Sequence, residues 1–162
     1  MPKAITFAVP ADTELKPAPI AAHWVIEGNP VARSRRLSAS LDTTSSTMVW
    51  TCTPGKFHWY YTVDETLYIL EGEVFVTDHK DEVRRLGSGD LAFFPAGSHS
   101  VWHVTKDLRK IAFCRQGMPL LAGFGLRAFN KFINVLTGYR GCALESDESE
   151  EVAEPIRRVS AA

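Results

Sequence analysis

Cysteine is scarce in this sequence, and the few cysteines are not arranged as a site. The 162 residues include three, Cys52, Cys114 and Cys142, with no C-x-x-C spacing among them. An odd number of widely separated cysteines indicates neither a disulfide framework nor a cysteine zinc site. Cys52 and Cys114 lie within apolar strand patterns, so we interpret both as small buried hydrophobic residues.

The sequence also lacks a strong net charge and a long apolar run. Lysine and arginine number 18 against 19 for aspartate and glutamate, which gives a net charge of −1. This balance gives no basis for binding nucleic acid or an anionic membrane surface. No apolar segment approaches the length of a membrane span, and the first residues lack the apolar core of a signal peptide. We therefore expect a cytoplasmic protein without nucleic-acid or membrane partners.

Short aromatic and β-branched segments predict an all-β domain over residues 23–117. Apolar residues make up 45% of the chain, enough for an ordinary buried core. The segments alternate with period two between glycine and proline turns, which predicts roughly ten short strands. One predicted turn, Glu71-Gly72, separates strands at 66–70 and 73–77. Without helical segments between the strands, the pattern is typical of an antiparallel sandwich or jelly roll.

The two ends of the chain differ from this domain. Four prolines in residues 1–22 predict an extended arm, which lies along the domain or reaches a partner subunit. Residues 118–140 predict a helix, because apolar residues recur at helical spacing between Leu120 and Leu136. Residues 141–162 are acidic and then basic with few apolar residues, which predicts a polar, mobile tail.

The segment 33–42 carries three arginines in a strand pattern. Alternation places Arg33 and Arg35 on the same face as Leu37, and Arg36 on the other face. On a barrel strand, this arrangement predicts that Arg33 and Arg35 point toward a rim or an open mouth. The alternative is that the arginines form a solvated edge that blunts strand pairing.

Two spaced motifs give the chain a family resemblance. Gly89-x5-Pro95-x-Gly97 matches the second cupin signature, and Glu65-x6-Gly72 matches the end of the first. The string from Gly55 to Gly72 is similar, more narrowly, to small single-domain cupins allied to ureidoglycolate aminohydrolase and the ethanolamine-utilisation cupins. This resemblance covers about residues 45–115. It implies an RmlC-like antiparallel jelly-roll barrel, to which the C-terminal α-helix is added.

The resemblance also implies that the family's usual metal site is degenerate. Metal-binding cupins hold a divalent metal through H-x-H, a glutamate and a third histidine. At those positions this chain resembles the family only in Glu65, because Trp59, Tyr61 and Ser100 stand at the histidine positions. We therefore expect no metal and no other cofactor.

Three histidines near the signatures leave one alternative open. Alternation places His58 on the face opposite Trp59, and His99 and His103 on the face opposite Ser100. A β-bulge can reverse such an assignment, so a non-standard metal site remains an alternative to surface histidines.

Two classes of function fit these residues. The first is a small-molecule-binding protein whose ligand contacts Trp59, Ser100, Trp102, Arg33 and Arg35 in an aromatic barrel pocket. The second is a hydrolase or lyase acting on a small polar nitrogen compound or acid. In it, Glu65 is the acid/base and Tyr61 a proton donor. Loss of three metal-ligand positions favours the first class. The same residues also fit a plain aromatic core, with Glu65 in a structural ion pair.

A homodimer is the expected assembly. The predicted helix carries more apolar residues than one packed stripe requires, and the arm has little reason to be ordered alone. Packing of either segment across a two-fold axis would cover this apolar surface.

Overall fold

The computed structural model describes residues 5–117 and, beyond them, only Gly125 and Phe129, both with helical backbone. The predicted helix at 118–140 otherwise lies outside the described residues, as does the predicted tail at 141–162. In the described part, no helix is both long and apolar enough to cross a membrane.

Residues 5–117 fold almost entirely into antiparallel β-structure. The strands are β1 Lys16–Pro17, β2 Val25–Glu27, β3 Ala32–Ala39, β4 Ser45–Cys52, β5 Gly55–Tyr60, β6 Asp64–Thr77, β7 Val83–Gly87, β8 Leu91–Phe94 and β9 His99–Arg115. A single 3-10 turn, Ala22–Trp24, precedes β2. The prediction of an all-β domain is confirmed.

The sheet curls because its two longest strands each pair with several partners. One path runs β1-β3-β4-β9-β5-β2, and β6 pairs with β7, β8 and β9. Strand β9, with 17 residues, therefore pairs with β4, β5 and β6. A strand that pairs on both edges along different parts of its length joins the two halves of a barrel.

The predicted turn at Glu71-Gly72 is wrong, because Gly72 lies inside the continuous strand β6. The register of β6 against β9 shifts on either side of this position, as at a β-bulge. Gly72 has φ +89°, and a Cβ atom there would lie 2.1 Å from the carbonyl oxygen of Asp107. Glycine is required here for a close approach between two strands rather than for a chain reversal.

The core fills the inside of the curled sheet. Its buried members come from both halves of the barrel and include Trp50, Phe57, Leu67, Ile69, Val74, Trp102, Val104 and Leu108. Trp102 and Phe57 are almost completely buried, at 1% and 0% exposed. Large aromatic side chains thus occupy much of the space that a wider barrel would leave open.

The described part of the N-terminal arm lies along the domain. Strand β1 pairs with β3, with Lys16 opposite Ser34. Nearer the N-terminus, Arg109 donates hydrogen bonds to the carbonyl oxygens of Pro10 at 2.8 Å and Ala11 at 3.3 Å. The extended conformation follows from proline, and these contacts hold the arm against the sheet.

Candidate functional site

A buried ion pair lies inside the barrel. Glu65 on β6 and Lys110 on β9 are 8% and 2% exposed, and Lys110 Nζ lies 2.5 Å from Glu65 Oε1. The register places Glu65 opposite Cys114, and Lys110 opposite Ile69. Both side chains are therefore on the inner faces of neighbouring strands. Burial of either charge alone would be costly, so each residue supplies the partner that the other requires.

Three tryptophan rings surround the ammonium group of Lys110. Its Nζ atom lies 4.5 Å from the ring centroid of Trp102, 5.0 Å from Trp50 and 5.9 Å from Trp59. The negative faces of aromatic rings attract a cation, most strongly where water is excluded. The rings therefore compensate for part of the hydration that the ammonium loses.

A hydrogen-bonded network of three side chains lies in the same interior. The hydroxyl groups of Tyr61 and Ser100 are 3.0 Å apart. The indole N–H of Trp102 donates to both, at 2.9 Å to Tyr61 and 3.1 Å to Ser100. Burial raises the pKa of Tyr61 well above its usual value, against a smaller lowering by its hydrogen bonds to Ser100 and Trp102. Tyr61 is therefore a neutral hydroxyl at physiological pH.

Trp59 and Phe94 form the aromatic surface beside these polar groups. Trp59 is half-buried and lies opposite Ser100 across β5 and β9. Phe94 is also half-buried, lies opposite Glu65, and stacks on Tyr61 with ring centroids 4.5 Å apart. The structure thus brings Trp59, Tyr61, Glu65 and Ser100 together in the barrel interior. The buried Trp102 is hydrogen-bonded to two of them.

The prediction that Arg33 and Arg35 face the interior is wrong. Ala32, at the start of β3, is 3% exposed and belongs to the core, whereas Arg33 and Arg35 are exposed on the other face. The inner positions of β3 lie opposite inner residues of β4, with Ser34 opposite Trp50 and Arg36 opposite Met48. Arg36 shares the register of the inner positions but is exposed, as Arg33 and Arg35 are.

Lys110 was missed by the sequence interpretation, although a signal for it exists. Along β9, Lys110 alternates in phase with Ala112 and Cys114, and out of phase with the exposed Phe113. A lysine in phase with small residues is placed on the inner face by period-two alternation. Because a lysine within a strand is more commonly exposed to solvent, the sequence interpretation did not place Lys110 on the inner face.

The histidines near the signatures lie on the outside of the barrel. His58 and His99 flank the exposed Tyr60, with ring-centroid distances of 6.3 Å and 5.9 Å. His103 lies opposite Lys56 on β5. Among residues 5–117, no group of three or more His, Cys, Asp or Glu side chains could hold a metal ion.

The interior does not fit the metal site of metal-binding cupins. Trp59, Tyr61 and Ser100 bring no imidazole to it, and the carboxylate of Glu65 is engaged by the ammonium of Lys110. Neutral hydroxyl and indole groups are poor ligands for the divalent metals that imidazole and carboxylate bind.

Comparisons with known proteins support the family of this barrel. Residues 39–112, slightly less than half of the chain, match the model of the EutQ-like cupin domain. Residues 39–112 are therefore a cupin domain. No match was found among curated proteins.

Solved structures of other proteins are similar to this chain. A protein of unknown function of the DUF861 family from Pseudomonas syringae is 24% identical, with a TM-score of 0.59 over 64% of this cupin and 45% of that chain. The polyketide cyclase RemF from Streptomyces resistomycificus is 13% identical, with a TM-score of 0.51 over 72% and 82%. The Clostridium difficile EutQ protein is 21% identical, with a TM-score of 0.48 over 54% and 69%.

Proposed function

We propose that this cupin binds a small organic molecule at one end of its barrel. The observation that carries the proposal is a gradient of burial along the inner faces. Phe57, Leu67 and Trp102 are fully buried, whereas Trp59 and Phe94 are half-buried. Two inner aromatic side chains are therefore partly exposed to solvent, next to the buried polar groups. A mostly apolar surface with a few fixed polar groups is the usual composition of a small-molecule site.

Each residue of the proposed site suits a particular part of a ligand. The exposed portions of Trp59 and Phe94 would contact an apolar or aromatic body. Glu65 and the hydroxyls of Tyr61 and Ser100 would orient a polar group. The indole N–H of Trp102 donates a hydrogen bond to each hydroxyl and so fixes their positions.

The test is a ligand screen with a matched pair of variants. Small acids, amides and aromatic compounds are tested for a rise in Tm, since a ligand that binds only the folded state stabilises it. A genuine ligand raises the Tm of wild type and of Tyr60→Ala, an exposed neighbour of Trp59, but not that of Trp59→Ala. An equal rise in Tm in all three proteins would show that the ligand does not bind at the proposed site.

An enzyme is the second candidate, and the buried carboxylate favours it. Glu65 is buried in an aromatic interior, and Phe94, which lies opposite it, stacks on Tyr61, so both residues could act on a small polar nitrogen compound or acid. The ion pair with Lys110 weighs toward binding instead, because the carboxylate already has a strong partner. Conversion of a compound by wild type but not by folded Glu65→Gln would establish catalysis.

We also propose that the purified protein carries no stoichiometric transition metal. The support is the chemistry of the positions: Trp59, Tyr61 and Ser100 replace imidazoles, and Glu65 is paired. Elemental analysis should find far less than one equivalent of zinc, iron, manganese or nickel. One equivalent, lost in Glu65→Gln, would contradict this.

A homodimer is proposed for the assembly. The outer face of the sheet carries exposed apolar residues on adjacent strands: Tyr68, Leu91, Phe93 and Phe113, at 39%, 53%, 58% and 47% exposed. Phe93 and Phe113 lie opposite the same residue, Thr66, so the group is contiguous across β8, β6 and β9. Contiguous exposed apolar residues on a sheet face are typical of an association surface.

A further inference from the structure

Lys110 places its amino group where a protein interior rarely has a lysine. Its side chain is 3% exposed, and its one ionic partner within residues 5–117 is Glu65, whose side chain is 10% exposed. A lysine ammonium is strongly hydrated in water, so removing that water needs specific compensation. The residues around the amino group must therefore supply interactions that replace its lost hydration.

The surroundings supply two kinds of compensation. One is the Glu65 carboxylate at 2.5 Å from Nζ. The other is three indole rings with centroids between 4.5 and 5.9 Å from Nζ. A carboxylate together with several aromatic faces is also the arrangement that recognises ligand ammonium ions in aromatic cages. The rings pack edge to face: the ring centroid of Trp50 lies 5.8 Å from that of Trp59 and 6.1 Å from that of Trp102.

The ammonium also lies among residues at the positions of metal ligands. Glu65 stands at the family's carboxylate position and Trp59 at one of the histidine positions. Lys110 Nζ contacts the first and lies over the ring of the second. A divalent ion beside Glu65 would have to share its carboxylate with this ammonium at short range, and like charges at such a distance repel strongly.

We propose that the barrel interior is an aromatic-cage cation site whose resident cation is Lys110, in place of the metal that related barrels take from solution. The ligand class of the cage is a primary ammonium ion, here supplied by the chain itself. The inference is independent of the small-molecule ligand proposed above, since it concerns groups that are already in contact.

The proposal is tested by emptying the cage and offering a free cation. Lys110→Ala removes a segment that n-propylammonium reproduces, with the same chain length and charge. Loss of Lys110 leaves Glu65 uncompensated, and we expect Tm to fall on the order of 10 °C. Millimolar n-propylammonium should then raise the Tm of Lys110→Ala in a saturable way, because it binds only the folded variant.

Two controls separate the cage from general effects of an amine. n-Propanol has the shape of the removed segment without its charge and should give little recovery. Lys106→Ala, also on β9 but with an exposed side chain, should show no response to the amine. Equal stabilisation of Lys110→Ala and Lys106→Ala by n-propylammonium, or equal recovery by n-propanol, would overturn the proposal.

A measurement on the wild-type protein covers the case in which Lys110→Ala does not fold. Protons held over aromatic faces are shifted upfield in NMR spectra. We expect the ε-methylene protons of Lys110 to resonate upfield of those of the exposed Lys106, assigned by the loss of each signal in Lys→Arg variants. Resonances of Lys110 at the position of an exposed lysine would contradict the cage directly.

Discussion

The hydroxyl groups of Tyr61 and Ser100 lie 3.0 Å apart, and the indole N–H of Trp102 donates to both. Tyr61 and Ser100 stand at two positions where metal-binding cupins have histidine. In this cupin the two residues are joined to each other instead. Buried polar groups that satisfy each other are stable only as a complete set, since each one removed leaves another unpaired.

Replacement of Tyr61 by phenylalanine should therefore destabilise the protein. The substitution keeps the ring that stacks on Phe94 but removes an oxygen used by Ser100 and Trp102. We expect a loss of about 1–3 kcal/mol in the free energy of unfolding, measured by urea denaturation. Tyr60→Phe is the control, because Tyr60 is 47% exposed, and it should change stability by less than about 0.5 kcal/mol. Equal losses in the two variants would argue against the network.

Gly72 should be far less tolerant of alanine than Gly97. Both have positive φ, +89° and +82°, so alanine is strained at each. A Cβ at Gly72 would also meet the Asp107 carbonyl at 2.1 Å, whereas nothing lies within 4 Å at Gly97. We expect Gly97→Ala to cost about 1–2 kcal/mol and Gly72→Ala more than about 3 kcal/mol. A comparable fall in urea midpoint for both would show that the strands can separate at Gly72 without cost.

Alkaline pH should weaken the fold through two buried neutral groups. Burial raises the pKa of Cys52 from 9.0 to about 12, and it also raises that of Tyr61. The unfolded chain releases these protons first, so the stability is fully present below about pH 9 and is lost as pH rises toward the folded-state values. Each group contributes up to about 1.4 kcal/mol per pH unit in that range.

The Cys52→Ala variant isolates one of these contributions. Its stability at neutral pH will be lower because a core side chain is smaller, so the comparison is between slopes. We expect a shallower alkaline decline of the free energy of unfolding than in wild type. Identical slopes would mean that the Cys52 thiol titrates normally in the folded protein.

The dimer proposal makes a prediction for the outer face of the sheet. Sedimentation at micromolar concentration should find a wild-type dimer, and Phe93→Glu should dissociate it by placing a charge within the apolar group. Val83→Glu on β7, 51% exposed, is the matched control and should remain dimeric. A chain lacking residues 118–162 tests whether the segment first expected to make the contact is needed. A monomeric wild type would end this proposal.

The sequence was sufficient for the all-β fold, and it singled out several residues that the structure places inside the barrel. Glycine and proline turns with period-two alternation predicted an antiparallel sandwich or jelly roll, and the resemblance to cupins implied the barrel and singled out Trp59, Tyr61, Glu65 and Ser100. The orientation of β3 could not be obtained in the same way. A register irregularity lies between Arg36 and Ser38, so the apolar Leu37 does not report the face on which Arg35 lies. A shift of one residue reverses every side chain, which is why the arginines were assigned to the wrong face.

Lys110 shows a different limit of sequence interpretation. Its alternation was visible, but its partner lies 45 residues earlier in the chain, and only the pairing of β6 with β9 brings the two charges together. Burial of a lysine depends on such a partner, so neither residue can be assigned without the other.

The most direct test of this account is a double-mutant cycle on Lys110 and Glu65, measured as the free energy of unfolding at neutral pH. Lys110→Met and Glu65→Gln should each cost about 3–5 kcal/mol, because each leaves the other charge buried and alone. The double variant should be much more stable than the sum of the two losses predicts. The exposed pair Lys56 and Glu27, 3.4 Å apart, is the control and should couple by less than about 1 kcal/mol. Additive losses for Lys110 and Glu65 would contradict the buried ion pair on which the account depends.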